Sequence, residues 1–361
     1  MNACPASPGV VGEGRPARRS PDAPVSLPSS CKLRPSAVIL LLLSLAPVQV
    51  SCSGDEPELG PDATVEQVRA VVAQEMRDLE RTHFRIDGVE HELVDLEPAD
   101  DGFVLLFETQ ALLLGVRRSG APNGRVELHV GVGAATENEE PSPDAPVLEG
   151  KLRRSRPDGD IRLHGRVSDP EGAHPDVELD LRLNEALFGA GTTRLEIEGT
   201  RAILRGVLGS RSHAQLDALI REHPEVRTLV LQDVPGSMND EVNVHAGRLV
   251  RAAGLTTLIP ANGMAASGGV DLFAAGVTRV AEPGARLGIH AWCCWRGKPA
   301  EEIERGHRAH AHQEAYFREM MGARGIDFYY RTLEAAPFDD IHWMSRSEME
   351  SSGLLTARAA R

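Results

Sequence analysis

The chain has 361 residues, a formal net charge of −14 at pH 7 and five cysteines. This length is sufficient for two domains and a sizeable hydrophobic core. The excess of negative charge excludes a surface that follows nucleic-acid phosphates, so we expect no nucleic-acid partner. Lysine occurs only at Lys32, Lys151 and Lys298, which leaves few candidates for a catalytic lysine.

The first 54 residues have the composition of a leader and not of a folded domain. Residues 1–31 are rich in Pro, Ser, Arg and Gly, and the apolar run 37–50 follows two basic residues. Positive charge before a short apolar run is typical of an export signal, and this run is too short to span a bilayer comfortably. Residues 55–62 then have the composition of a flexible linker.

Cys52 follows Gln-Val-Ser in a pattern that resembles a lipoprotein processing site. The resemblance implies lipidation of Cys52, and hence an extracytoplasmic protein of the periplasm or cell envelope that is anchored to the membrane. Cleavage without lipid attachment is the alternative, because Gln49 stands where an aliphatic residue is usual.

Residues 63–195 show the pattern of a small α+β domain. The segment 64–81 has valines and a methionine at helical spacing, which predicts an amphipathic helix. Alternating runs separated by turn residues then predict the strands of an antiparallel sheet. These runs are 104–107, 112–116, 126–132, 148–152, 161–167 and 177–183. No catalytic motif is evident in this part of the sequence, and its role stays open.

Residues 196–358 alternate strand and helix patterns, which predicts an α/β domain. This order implies right-handed crossovers and helices that cover a parallel sheet. The predicted strands are 195–198, 202–207, 226–231, 256–260 and 286–292, and the predicted helices are 212–223, one from Asn239 or Asp240 to Gly254, one from Ser267 and a long one over 301–321.

Ser267 opens a helical pattern that places Val270 and Phe273 on one face and ends at Gly276. Its small neighbours allow a substrate carbonyl to approach the backbone closely. The free N–H groups and the dipole at a helix N-terminus would also stabilise an oxyanion there. The sequence therefore marks Ser267 as a candidate nucleophile, with a simple helix cap as the alternative.

Three segments around Ser267 carry a family resemblance. They are Ala-Ser-Gly-Gly at 266–269, Ala-Gly-Val-Thr-Arg at 275–279 and Glu-Pro-Gly-Ala-Arg-Leu-Gly-Ile-His at 282–290. Together they resemble the active-site region of the ClpP family of serine peptidases. The whole stretch most resembles bacterial extracytoplasmic ClpP-like proteins, and the first segment is also similar to signal peptide peptidase A.

The resemblance implies a ClpP/crotonase-like spiral of βα units, preceded by the smaller α+β domain. It also implies that Ser267 is the nucleophile and that His290, 290 − 267 = 23 residues later, is the base. Trp343-Met344-Ser345 matches a triplet that follows the catalytic Asp in ClpP. Asp340 precedes this triplet, at a spacing one residue longer than in ClpP, and Asp339 is the alternative acid.

The resemblance places the oxyanion hole at the amides of Gly268 and Ser237. Ser237 lies in the loop 234–238 and replaces a glycine of ClpP, so a side chain must tolerate a glycine-like conformation there. Signal peptide peptidase A uses a serine–lysine dyad instead. In that alternative mechanism, Lys298 or Lys151 would supply the base.

Two further sets of side chains could carry chemistry, a histidine group and a cysteine pair. His307 and His310 are one helical turn apart, but no zinc-binding pattern surrounds them, so we expect solvated or interface histidines, no metal and no cofactor. Adjacent cysteines rarely bridge each other, so we interpret Cys293 and Cys294 as small thiols.

These observations predict an extracytoplasmic serine peptidase-like hydrolase that acts on a peptide or protein substrate. A catalytically inactive ClpP-like scaffold is the first alternative. A crotonase-type acyl-CoA enzyme is the second alternative. The predicted extracytoplasmic location argues against it, and the sequence shows no evident acidic pair for that chemistry. A homo-oligomer is compatible with this fold class.

Overall fold

A computed structural model of the chain describes residues 59–99, 102–107, 111–118, 126–133, 147–150, 152–293, 295 and 298–357. The predicted leader, the export signal and Cys52 lie outside the described residues, as do Lys151 and Cys294. In the part of the chain that is described, no helix combines the length and the apolar character needed to cross a membrane.

Ten of the described strands form an antiparallel sheet in the first half of the chain. They are β1 (His83–Ile86), β2 (Val89–Glu90), β3 (Leu93–Ala99), β4 (Gly102–Phe107), β5 (Ala111–Arg118), β6 (Val126–Gly133), β7 (Val147–Gly150), β8 (Arg153–Ser155), β9 (Ile161–Ser168) and β10 (Val177–Leu183). Their order is β2-β1-β10-β9-β7-β6-β5-β4-β3, with β8 beside β9. Alternating hydrophobicity predicts six of these strands, and the short or irregular strands β1, β2, β3 and β8 are the ones it misses.

One face of this sheet is apolar because alternate residues of each strand point to the same side. In the pairing of β1 with β10, Phe84 lies opposite Leu181 and Ile86 lies opposite Leu179. All four side chains are buried and belong to one hydrophobic cluster. Cross-strand pairs of this kind fix the register, since a slip of one residue would expose the whole apolar set.

Eight of the described strands form a second, largely parallel sheet. They are β11 (Arg194–Glu198), β12 (Arg201–Arg205), β13 (Thr228–Val234), β14 (Thr256–Ile259), β15 (Met264–Ala266), β16 (Thr278–Ala281), β17 (Arg286–Ile289) and β18 (His342–Trp343). The path is β11-β12-β13-β15-β17-β18, while β14 pairs with β13 and β16. Strand β13 pairs with β14 through its first half and with β15 through its second half, so the sheet divides there.

The described α-helices are α1 (Val65–Leu79), α2 (Ala186–Ala190), α3 (Ser210–Glu222), α4 (Asp240–Ala252), α5 (Gly268–Ala274), α6 (Ala311–Met321), α7 (Gly325–Ala335) and α8 (Arg346–Ser351). Parallel strands that alternate with α3, α4 and α5 make the second half a mixed α/β structure, as its sequence pattern predicts. The Asn239 side chain caps α4 by accepting from the Val242 N–H. Ser345 and Glu348 form a capping box at the start of α8.

Helix α1 packs its apolar face on helices of the second half of the chain. Val68 and Val72 of α1 are buried in one cluster with Leu59 and with Val242 of α4. An ion pair of 2.7 Å joins Arg69 to Asp217 of α3. The amphipathic helix that the sequence groups with the first sheet therefore contributes to a contact between the two halves.

The predicted long helix over 301–321 is wrong in its first half. Helix α6 begins only at Ala311, and the preceding residues form the 3₁₀ turns Ala300–Glu302 and Arg308–His310. Gly306, with φ 80°, interrupts the segment in a conformation that a helix does not contain. The prediction of a solvated or interface His310 is also wrong, because its ring is buried and lies 2.7 Å from the Tyr329 hydroxyl.

Candidate active site

The register of two parallel strands brings Ser267 and His290 to the same edge of the sheet. Strands β15 and β17 pair Ala266 with Gly288, and the Ser267 N–H donates to the Gly288 carbonyl at 3.0 Å. Ser267 directly follows β15 and His290 directly follows β17. In open α/β sheets, ligands bind outside the carboxyl ends of the strands. Both side chains line one small concavity, of about 40 Å³, at that edge.

Ser267 occupies a sharp strand-to-helix turn between β15 and α5. Its backbone has φ 51° and ψ −128°, a combination that L-residues rarely adopt and that costs on the order of 1–3 kcal/mol. The side chain makes no capping hydrogen bond, although it stands at the N-cap position of α5. A serine held in such a turn presents its hydroxyl away from the backbone, as the nucleophiles of α/β-hydrolases do.

Two backbone amides lie beside this serine. An added Cβ on Gly268 would come within 3.3 Å of the Ser237 amide nitrogen, and one on Gly236 would lie 4.0 Å from Ser267 Oγ. Among the described residues, the Gly268 and Ser237 N–H groups donate to no backbone carbonyl. The two amides predicted as an oxyanion hole are therefore neighbours, with their donors free.

Ser237 avoids the strain that its substitution for glycine suggests. Positive φ angles among the described non-glycine residues occur at Asp87, Asp158 and Ser267, and not at Ser237. The flanking backbone holds the loop instead, because the Leu208 N–H donates to the Gly236 carbonyl and the Met238 N–H donates to the Leu208 carbonyl. A side chain at position 237 is therefore compatible with a donating amide.

Asn243 of α4 supports the first turn of α5 from below. It is almost completely buried, and its amide nitrogen donates to the Gly268 carbonyl at 2.9 Å. Gly268 itself leaves no room for a side chain, since an added Cβ would lie 2.4 Å from the Ser237 Cβ. The Ala-Ser-Gly-Gly segment thus needs its first glycine for close approach of the two oxyanion-hole segments.

His290 is oriented by a backbone carbonyl. Its Nδ1 lies 2.8 Å from the Ala291 carbonyl oxygen, and its ring packs edge-on against Phe338. A carbonyl can only accept, so Nδ1 carries the proton in this contact and Nε2 is left as the proton acceptor. Among the described residues, no hydrogen bond joins the His290 ring to Ser267 Oγ. Catalytic hydrogen bonds are often long in unliganded enzymes and tighten with substrate.

The structure does not bring the predicted acid to His290. Asp340 and Asp339 are both exposed, and an oxygen of Asp340 accepts from the neighbouring Ile341 N–H. Within the described residues, neither carboxylate makes a hydrogen bond or an ion pair with the imidazole. The assignment of Asp340, with Asp339 as its alternative, therefore stays a prediction without a contact to support it.

The serine–lysine alternative has no geometric support in the described residues. Lys298 is exposed and pairs through its backbone with Trp295. It does not line the concavity that holds Ser267.

Two aspartates that the sequence reading did not assign to the site line the same concavity. Asp240 is the first residue of α4, directly after the oxyanion-hole loop, and Asp271 lies one helical turn beyond Ser267 on α5. Two carboxyl groups therefore share the concavity, although no acidic pair is evident in the sequence. The spacing of Asp271, four residues after Ser267, is a signal that could have placed it on the same helix face. Asp240 had no such signal.

The surroundings of these two carboxylates disfavour their charges. Burial raises the pKa of Asp240, against the opposing influence of the polar Ser237 side chain and of His290. Burial also raises the pKa of Asp271 well above its usual range, and the nearby charge of Asp240 raises it further. Asp240 is exposed to solvent and Asp271 is half-buried, so the effect of burial on the Asp240 carboxyl group is the weaker of the two.

Aromatic side chains form part of the wall of the concavity. Trp292, Phe317 and Tyr329 line the concavity, and the Trp292 indole N–H donates to the Tyr329 hydroxyl at 2.8 Å. The cluster of aromatic residues after β17 thus contributes both to the core and to the wall of the site. Gln313 lies in the same wall, and its side-chain oxygen has no partner among the described residues.

Cys293 is disulfide-bonded, so the interpretation of this residue as a thiol is wrong. Its partner lies outside the described residues, because no other cysteine is among them. In the described ranges, no group of three or more His, Cys, Asp and Glu residues is placed to hold a metal ion.

No protein-family model and no curated protein sequence matches the chain. The chain is similar to a solved structure of a Pseudomonas aeruginosa protein, with 19% identity and a TM-score of 0.31 over 46% of this chain and 77% of that chain. For an enoyl-CoA hydratase from Bacillus anthracis the values are 14%, 0.31, 46% and 69%. For a mutant of a membrane-bound stomatin-specific protease they are 15%, 0.33, 44% and 77%. Likenesses this weak carry no argument about function.

Proposed function

We propose that the protein is an extracytoplasmic serine hydrolase that cleaves peptide bonds through an acyl-enzyme, on a ClpP/crotonase-like fold. The observation that carries the proposal is the strained turn at Ser267. It holds a hydroxyl beside two free amides and in the same concavity as His290. Strain of this kind persists where the surrounding structure enforces it, and it is characteristic of functional sites.

The geometry supports an ordinary acyl-transfer sequence. Ser267 Oγ attacks the substrate carbonyl carbon while its proton passes to His290 Nε2. The Gly268 and Ser237 amides receive the developing oxyanion, and His290 then returns the proton to the leaving amine. Water hydrolyses the acyl-enzyme by the same route in reverse. The Ala291 carbonyl keeps the imidazole in the tautomer that this sequence requires.

The Asp240 and Asp271 pair favours a second candidate, a crotonase-type acyl-CoA enzyme. Carboxyl groups with raised pKa values in one concavity are suited to proton transfer next to a thioester carbonyl. An oxyanion hole would serve that chemistry as well. The nucleophile distinguishes the two candidates, because proton transfer on an acyl-CoA has no need of a hydroxyl at position 267.

A fluorophosphonate probe tests the proposal. We expect it to label the wild-type chain and not Ser267→Ala, because the variant lacks the hydroxyl that the probe modifies. The matched control is Ser351→Ala, which removes an exposed hydroxyl at the end of α8 and should be labelled like the wild type. A quenched fluorescent peptide mixture then reports hydrolysis, and short-chain acyl-CoA esters report the second candidate.

Equal labelling of wild type and Ser267→Ala would exclude the serine hydrolase. A folded but unlabelled protein that turns over no acyl-CoA ester would favour the inactive scaffold. Turnover of acyl-CoA that survives Ser267→Ala would favour the second candidate.

A further inference from the structure

The predicted acids Asp340 and Asp339 do not line the concavity that holds His290, whereas other carboxyl groups do. Among the described residues that line the concavity, the groups with acidic or basic side chains are Asp240, Asp271 and His290, together with the Tyr329 phenol. Within the described part of the chain, no arginine or lysine lines it. The two carboxyl groups are therefore the acidic side chains that share the concavity with the imidazole.

The pair is asymmetric. Ser237 and His290 both favour the ionised form of Asp240. Asp271 has only influences that disfavour its charge, namely burial and the neighbouring Asp240. Two interacting carboxyl groups in one site lose their protons in separate steps. Of the two carboxyl groups, Asp240 is therefore the one whose surroundings oppose its charge less.

The position of Asp240 suits this role. It is the first residue of α4 and follows the loop that supplies the Ser237 amide, so one segment carries both the oxyanion donor and the charge. Among the described residues, no direct hydrogen bond joins Asp240 to the imidazole. Its influence is therefore electrostatic, while the Ala291 carbonyl supplies the hydrogen bond that orients the ring.

We propose that Asp240, and not Asp340, is the carboxylate that stabilises the protonated form of His290 during acyl transfer. It acts electrostatically through His290 and touches no reacting atom. This inference rests on the proposed serine hydrolase function. It replaces the acid of the Ser267–His290–Asp340 arrangement with one from the start of α4.

The first measurement is the pH dependence of fluorophosphonate labelling, for the full chain and for Asp240→Asn. Removing a negative charge makes protonation of the imidazole less favourable. We expect the acid limb of the profile to move to lower pH by about one unit or less, with a labelling rate roughly tenfold lower at its plateau. Asp327→Asn is the matched control, since Asp327 is exposed and does not line the concavity.

The rival variant is Asp340→Asn. A shifted acid limb in Asp340→Asn, together with an unshifted limb in Asp240→Asn, would overturn the proposal and restore the acid implied by the family resemblance. Thermal unfolding of each variant separates these outcomes from a loss of fold.

A second measurement keeps this inference separate from the proposed function. An NMR titration follows the His290 ring signal, assigned by its loss in His290→Gln, and it needs no catalysis. We expect the titration midpoint to fall in Asp240→Asn and to stay at its wild-type value in Asp327→Asn. An unchanged midpoint in Asp240→Asn would contradict the proposed role of Asp240 even if the probe labels Ser267. A lowered midpoint in a protein that is never labelled would support the coupling between Asp240 and His290 but would reject the hydrolase in which we propose that it acts.

Discussion

The carboxylates of the antiparallel sheet and those of the candidate site are held in opposite ways. Asp160 is almost completely buried. Both of its oxygens accept from Arg81, and one of them also accepts from Arg182 at 2.8 Å. Burial opposes its charge, but the two guanidinium groups outweigh that effect and lower the pKa of Asp160. At Asp240 and Asp271 no such cation is present among the described residues, and the pKa of each is raised.

The difference separates groups that serve the fold from groups available for chemistry. A carboxylate between two arginines is fixed in its ionised state and adds to stability. A carboxyl group in a site without a neighbouring cation reduces the stability of the fold, and proteins retain such groups mainly at functional sites. The concavity at Ser267 combines two of them with a strained backbone, which distinguishes it from the arginine-paired carboxylates Asp160, Asp180 and Asp217.

The largest effect on the free energy of unfolding is expected from two histidines outside the candidate site. His213 and His312 each have an unpaired ring nitrogen. Burial, together with nearby positive charge and the neighbouring His245 ring, lowers the pKa of each to about 4. Because the folded chain protonates these rings less readily than the unfolded chain does, they leave stability unchanged above the unfolded pKa of about 6.5 and reduce it as the pH falls toward 4.

We therefore expect the free energy of unfolding to fall by several kcal/mol between about pH 6.5 and pH 4, with an upper bound of about 3 kcal/mol for each histidine. Urea unfolding at a series of pH values measures this slope. The double variant His213→Gln, His312→Gln should flatten it. An equally steep slope in the double variant would assign the acid sensitivity to other groups and weaken the contrast between paired and unpaired sites.

A medium effect is expected at Asp160, where the comparison predicts that removing the charge lowers the free energy of unfolding. Asp160→Asn keeps the shape of the side chain but leaves Arg81 and Arg182 without their shared anion. We expect the unfolding free energy to fall by about 2 kcal/mol at pH 7, measured by urea unfolding. Asp176→Asn is the matched control, because Asp176 is exposed and its contact with Arg166 is 3.8 Å long. Similar losses in both variants would show that the buried pair has no special value.

Sequence patterns predicted the parts of this molecule that depend on local periodicity. Strand β14, helix α4 and the edge that joins Ser267 to His290 follow from apolar runs, an Asn239 cap and the family resemblance. Asp240 was not assigned in this way because no motif marks it, although it begins α4 just after the loop that supplies the Ser237 amide.

The segment 301–310 failed for a related reason. Its composition permits a helix, and tertiary contacts decide otherwise. The 2.7 Å contact between His310 and Tyr329 turns the ring into the core. Gly306 provides the positive φ that allows the chain to bend there. The periodicity of the sequence indicates neither the contact with Tyr329 nor the bend at Gly306.

The smallest effect, and the one of opposite sign, is expected at Asp271. A carboxyl group with a raised pKa in the folded state leaves stability intact below its unfolded value of about 4 and reduces it as the pH rises. Asp271→Asn removes that penalty, so we expect a gain of about 1 kcal/mol at pH 7. The gain should vanish near pH 3.5, where folded and unfolded wild-type chains are both protonated. The difference in unfolding free energy between variant and wild type at the two pH values measures it, and the titration of other groups cancels in that difference.

A loss of stability at pH 7, like that expected for Asp160→Asn, would mean that Asp271 has a cationic or donor partner in solution. The contrast between the two sets of carboxylates would then not hold.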